Sequence, residues 1–206
     1  MVGTKANAQP DRILDAALAC IARVGVGKTT LDDVAREAGC ARATVYRCFP
    51  GRQVLLQALF DREVRTLAER VIAAADRSET LADAIVAVIL TGAEPFRSHP
   101  ALAFVIAHEP EIITPQLSFE RGSALLITAA TLAAPAFTRF VPLDRAERLG
   151  EWVARLTLSY LCNPSEQVHL DDPDYVRALV VDYVLPGVTR TVQPFASAAA
   201  GGGASQ

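Results

Sequence analysis

Apolar residues in this chain recur three and four positions apart, and that period decides most of what it can fold into. From Asp11 to Val24, the side chains of Ile13, Ala17, Cys20, Ile21 and Val24 fall on one helical face, with Asp11 placed as a cap and Gly25 just past the end. Alanine fills 36 of the 206 positions, and the long alanine, leucine and valine stretches are good helix material with few alternating runs. An all-β fold is disfavoured and an all-α one expected. With 51% hydrophobic residues, the chain can bury a sizeable core. Its longest apolar stretch, Ser123 to Phe137, is interrupted by Thr128, Thr131 and Pro135, so no transmembrane helix is expected. The polar start from Met1 to Pro10 lacks the apolar segment of a secretory signal, which points to a cytoplasmic protein. Cys20, Cys40, Cys48 and Cys162 lack the close pairing of a zinc site or a redox dithiol, so free thiols and no metal or cofactor are expected. Cys40 and Cys48 flank a short helical segment and are weighed as a redox pair, but their spacing does not favour one.

Charge is divided unevenly. Residues 1–52 carry eight Lys or Arg against five acids, whereas the rest of the chain is acidic and brings the total to -3. A basic first quarter on an acidic body suits a DNA-reading head, because neutralising phosphates requires only local positive charge. The loop from Gly25 leads to Thr30, an N-cap with Asp33 three residues on, and Leu31, Val34, Ala35 and Ala38 form a second apolar stripe ended by Gly39. Ala41 to Phe49 reads as a third, very short helix closed by Pro50 and Gly51, and Arg52 opens a fourth that can run to about Ala75.

Two short helices around a tight turn, the second basic and hydroxyl-rich, match a helix-turn-helix whose second member enters the major groove. Val45 and Phe49 would anchor that helix, leaving Arg42, Ala43, Thr44, Tyr46 and Arg47 able to face outward. Arg can fork onto guanine, Thr can meet a base or a thymine methyl, and Tyr can donate to a phosphate. The run from Thr29 to Arg52, TTLDDVAREAGCARATVYRCFPGR, resembles the DNA-binding signature of the TetR family of transcriptional regulators. With the first helix and the start of the fourth, the resemblance covers about the first 60 residues. It implies an all-helical dimer with a three-helix head, a long linking fourth helix, and a larger body for ligand binding and dimerisation. By position, Arg42, Thr44 and Tyr46 resemble the family's DNA contacts, and Thr30 and Arg52 its phosphate contacts. Ala41 departs from the usual serine-like cap, and Cys48 stands where a phosphate-contacting histidine is common. The expected organisation is a DNA-binding domain over 1–52, a ligand-binding and dimerisation domain over 53–194, and a flexible tail over 195–206.

In the body, Pro95, Pro100, Pro142 and Pro173 are read as helix boundaries. The last two helical runs, Ala146 to Cys162 and Tyr175 to Val192, are apolar on more than one face, more than a single small core can use. A symmetric four-helix interface is therefore expected, through Leu158, Leu161, Val180, Tyr183 and Val184. An effector cavity is expected among Phe96, Phe104, His108, Phe119, Leu126, Phe137 and Trp152, with His108, Glu109 or Arg155 holding the polar end of the ligand. Such walls suit a small hydrophobic effector, a fatty-acyl or other lipid-like molecule being the candidate. The expected function is a ligand-responsive repressor bound to double-stranded operator DNA as a homodimer. A constitutive DNA binder without an effector is the main alternative. A helical enzyme is a remote one, since His99, His108, His169, Cys162 and Ser123 lie in no nucleophile-elbow or metal-ligand motif.

Overall fold

The computed structural model describes residues 8–109, 111, 124–162 and 166–189. The expected tail over 195–206, Phe119 and the Leu126 side chain lie outside the described residues. Within them the chain is helical, without a strand. The first four helices are α1 (Ala8–Lys28), α2 (Leu31–Glu37), α3 (Arg42–Cys48) and α4 (Arg52–Asp76). They are followed by α5 (Leu81–Ser98), α6 (Pro100–His108), α7 (Ala124–Ala133) and a 3-10 turn, Ala134–Phe137. The last are α8 (Leu143–Cys162), α9 (Pro173–Leu179), a π-helical turn Val180–Val184, and α10 (Leu185–Thr189).

Local chemistry sets most of the boundaries. The Thr30 and Thr80 hydroxyls accept from the backbone N–H groups of Asp33 and Asp83 at 3.2 and 3.1 Å, and donate to those residues' carboxylates, starting α2 and α5 in the same way. His99 Nδ1 caps α6 ahead of Pro100, and Asp172 caps α9 ahead of Pro173, each proline sitting where a helix needs no donor. Two sequence boundaries move. α1 begins by Ala8, with Pro10 accepted in its first turn, so Asp11 lies inside the helix instead of capping it. Pro95 does not end α5; it sits in the last turn, and the helix continues to Ser98.

Two apolar cores result. The first joins Ile13, Ala17 and Ile21 of α1 to Val34 of α2, Val45 of α3 and Leu55 and Leu59 of α4, and takes in Ala101 and Val105 from α6. The second joins Val71 and Ala75 of α4 to α5, to Phe137, to Ala146, Leu149 and Val153 of α8, and to Val176, Val180 and Val184. α4 thus contributes its first half to one core and its last turns to the other. Ion pairs brace it along its length, Arg62 to Asp15 of α1 and Arg70 to Glu94 of α5, both at 2.8 Å.

The last helical run corrects part of the expected interface. Val180 is 0% exposed and Val184 is also buried, both inside the second core with Val176, whereas Tyr183 is 73% exposed. Residues four apart drift around an ordinary α-helix, and the wider π-helical turn places 176, 180 and 184 together on the inner side. Val180 and Val184 therefore hold the fold of one chain. Leu158 is also buried within the chain, and Leu161 is half-buried. Val180→Asp should lower the thermal midpoint by about 10 °C or more, since it puts an unpaired charge into a closed core. Tyr183→Asp should keep the helical spectrum of the folded chain and lower that midpoint by less than Val180→Asp, since it touches only the expected pairing of two copies. Circular dichroism melts of the two variants check the contrast, and equal losses would refute the assignment of faces.

Candidate nucleic-acid interface

Seven residues form α3, and the first core decides which of them it presents. Val45 and Phe49 are buried, and Thr44 is half-buried. Arg42, Ala43, Tyr46 and Arg47 are exposed, on the side away from the core. Two apolar anchors four residues apart set this division, and Thr44, expected to face outward with the others, is only partly exposed. Its N-terminus has no side-chain cap, because Ala41 stands at the cap position and offers no acceptor.

Arg42 is held in place before any DNA arrives. Its Nε lies 2.8 Å from the Asp32 carboxylate of α2, one Nη donates to the Tyr46 hydroxyl at 3.2 Å, and its guanidinium sits 5.3 Å from the Tyr46 ring centroid. The Tyr46 hydroxyl, and then Asp32, favour the charged guanidinium and raise its pKa above the ordinary arginine range. On α2, Arg36 pairs with Asp33 and Arg23 of α1 pairs with Glu37, so several cations of the head face carboxylates of the head. The Thr30 hydroxyl holds the Asp33 carboxyl below the usual carboxylate range, with Arg36 adding to the effect.

Thr30 and Arg52 have structural duties in addition to their expected phosphate contacts. Both the proton and an acceptor site of the Thr30 hydroxyl are engaged with Asp33. Arg52 donates from Nε to the Thr29 carbonyl at 2.9 Å and from Nη2 to the Val26 carbonyl, so its partly buried guanidinium fastens the α1–α2 loop, the stretch 25–30 that starts where α1 kinks at Gly25, to the start of α4. Cys20 is buried under this region, and burial pushes its thiol pKa up. Cys20, Cys40 and Cys48 are free thiols.

Across this loop lies Glu109, at the end of α6, which the sequence offers as an anchor for a ligand. Its carboxylate instead accepts from the backbone N–H groups of Val26 at 2.6 Å and Gly27 at 2.8 Å. The expected effector residues are likewise dispersed. Phe104 and His108 stack on each other at 4.4 Å, with His108 exposed. Phe96 is half-buried on α5, and Phe137 is 0% exposed in the second core. Trp152 is 40% exposed, and Arg155 is exposed on the same outer side of α8, paired with Glu151 at 2.7 Å. Phe137 is a core residue and Trp152 and Arg155 are surface residues, so these three do not share a wall with Phe104 and His108. The sequence cue to the Glu109 contact is the pair of glycines at 25 and 27, which permits close approach without saying to what.

Residues 13–59, from α1 into α4, match the family model for bacterial regulatory proteins of the tetR family. An HTH-type transcriptional regulator of Mycobacterium tuberculosis, itself uncharacterised, is 32% identical over 181 residues, covering 87% of this chain and 85% of that protein. Among solved structures, the TetR family repressor AlkX from Dietzia sp., implicated in biodegradation of n-alkanes, superposes with a TM-score of 0.64 at 22% identity, over 90% of this chain and 97% of its own. The fatty acid degradation regulator FadR from Bacillus halodurans does so with a TM-score of 0.60 at 14% identity, over 88% and 98%. At such identities these two likenesses speak to the fold. The signature on α2 and α3, the head it builds and the near full-length relative agree: the chain belongs to the TetR family of helix-turn-helix, DNA-binding transcriptional regulators.

Proposed function

We propose that the protein is a cytoplasmic repressor that binds a pseudo-palindromic operator as a homodimer and is released by a hydrophobic effector. The observation that carries the DNA half of this reading is the face of α3, where Arg42, Ala43, Tyr46 and Arg47 are exposed while Val45 and Phe49 are buried. Arg42 forks onto a base edge, Tyr46 and Arg47 meet the backbone or neighbouring bases, and half-buried Thr44 reaches the groove wall. Thr30 and Arg52 set the loop against the phosphates, Arg52 mainly by holding the loop's carbonyls. Arg42 must exchange Asp32 for its base, so its net gain is a difference between two charge-assisted contacts.

The dimer half rests on what the single chain leaves uncovered. Trp152 on α8 and Val181 and Tyr183 on the π-helical turn are large apolar or aromatic side chains at the surface, with Leu161 half-buried at the end of α8. Two copies joined through these elements present two equal recognition helices, which is why the operator is two-fold. The effector half rests on α6 and α7. Both are almost wholly apolar, yet Ile106 and Ile127 remain exposed, more apolar surface than the two cores use. A long apolar ligand covering that surface would switch operator binding only if it favours one conformation over the other.

Three outcomes test the reading. Footprinting of sites selected from random duplexes should protect two related half-sites; a lone half-site would count against the dimer. Arg42→Ala should relax specificity at one base pair by about 1 to 3 kcal/mol, measured by competition among single-base operator variants. Titrating a long-chain fatty acid should weaken operator binding over the concentration range in which calorimetry shows the acid to bind. Binding of the acid with operator affinity unchanged would leave a constitutive DNA binder as the better description.

A further inference from the structure

The contact between Glu109 and the α1–α2 loop has the geometry of a built joint. α1 is interrupted at Gly25, whose φ of 85° and ψ of 170° turn the next N–H groups toward one point. The Glu109 carboxylate occupies that point, held by Val26 N–H at 2.6 Å and Gly27 N–H at 2.8 Å. The fit leaves no room for side chains: a Cβ on Gly25 would lie 2.6 Å, and one on Gly27 2.9 Å, from Glu109 Oε1. The far side of the same loop is tied as well. The peptide between Val26 and Gly27 gives its N–H to Glu109 and receives Arg52 at its carbonyl, so one peptide group is held between the carboxylate that ends α6 and a guanidinium of α4. The Thr29 hydroxyl closes the loop by donating to the Gly25 carbonyl at 2.6 Å. The next residue, Thr30, caps α2, and α2 carries Asp32, the partner of Arg42 on the recognition helix.

We propose that Glu109 is a positioning residue for DNA recognition: seated in the Gly25–Gly27 backbone, it is the latch through which α6 sets where α2 and α3 stand. A shift of α6 cannot be absorbed silently at this joint. Either the carboxylate carries the loop, and with it the cap of α2, or two charge-assisted hydrogen bonds break. The part of the idea that concerns signalling rests on the effector-responsive reading above; the positioning role does not.

The test uses the full-length protein as wild type, Glu109→Ala, Gly27→Ala and the double variant. Two quantities are read: hydrogen exchange of the 25–29 amides without DNA, and affinity for an operator selected by the wild-type protein. Gly27→Ala is informative because its backbone lies outside the left-handed region, so the steric conflict is with the carboxylate alone. Each single variant should lose protection at Val26 and Gly27 and bind operator about tenfold more weakly. The double variant should lose no more than either single one, because both remove the same contact. Wild-type exchange and affinity in the single variants, or losses that multiply in the double, would overturn the proposal. Should Glu109→Ala fail to fold, Glu109→Gln, which keeps one carbonyl acceptor, carries the same comparison with a smaller expected loss. A fatty-acid titration then separates the two readings. A wild type that ignores the acid while Glu109→Ala still loses protection and affinity sinks the effector and keeps the latch. A wild type that responds, with Glu109→Ala identical to it in every readout, does the reverse.

Discussion

Seven residues make about two turns of helix, too few to stand alone in water, and both members of the helix-turn-helix are of that length. What makes them helices is burial: Val34 and Val45 are fully enclosed in a core that α1, α4 and α6 complete. The orientation of the recognition face follows from the same fact. Once Val45 and Phe49 are fixed inward, Arg42, Tyr46 and Arg47 have no other direction to take. The proposed DNA-reading surface is the outer side of a packing problem solved by residues of the core.

That core is completed from the body, and so the head is not self-contained. Ala101 and Val105 of α6 close it from one side, and Leu55 and Leu59 of α4 close it from beneath. Polar contacts follow the same routes, with Arg62 joining α4 to Asp15 of α1 and Glu109 joining α6 to the α1–α2 loop. Contacts like the ion pair to exposed Asp15 add little to stability taken singly. Their value lies in direction, since each fixes an angle between elements that apolar packing alone would leave loose.

Much of this is legible in the sequence because it is local. The cap at Thr30, the turn at Gly39, the anchors Val45 and Phe49, and the missing cap at Ala41 are statements about residues within one or two helical turns of each other. The misreadings have physical causes. A run apolar on more than one face suggests an interface for Val180 and Val184, and the π-helical turn that gathers them with Val176 in the core leaves no clear mark in the sequence. Glu109 and Arg52 look like free charges because their partners are backbone groups. The Val26 N–H is 83 residues from Glu109, and the Val26 carbonyl is 26 residues from Arg52. Backbone donors and acceptors are present at almost every position, so no pattern of side chains announces which of them a distant charge will find. Size and hydrophobicity suggest a pocket for Trp152, but the same properties serve a surface contact equally well.

The part that α4 and α6 take in the first core also bears on modularity. Regulators of this architecture invite exchange of heads to redirect one sensor to another operator, with the cut made at the loop before α4. In this chain such a graft would set Ala101 and Val105 against foreign side chains and leave Glu109 facing a loop not matched to its carboxylate. A working chimera would have to carry the inner face of α6, and Glu109 with it, alongside the helix-turn-helix, so the unit of inheritance here is a surface drawn across two helices and not a stretch of chain.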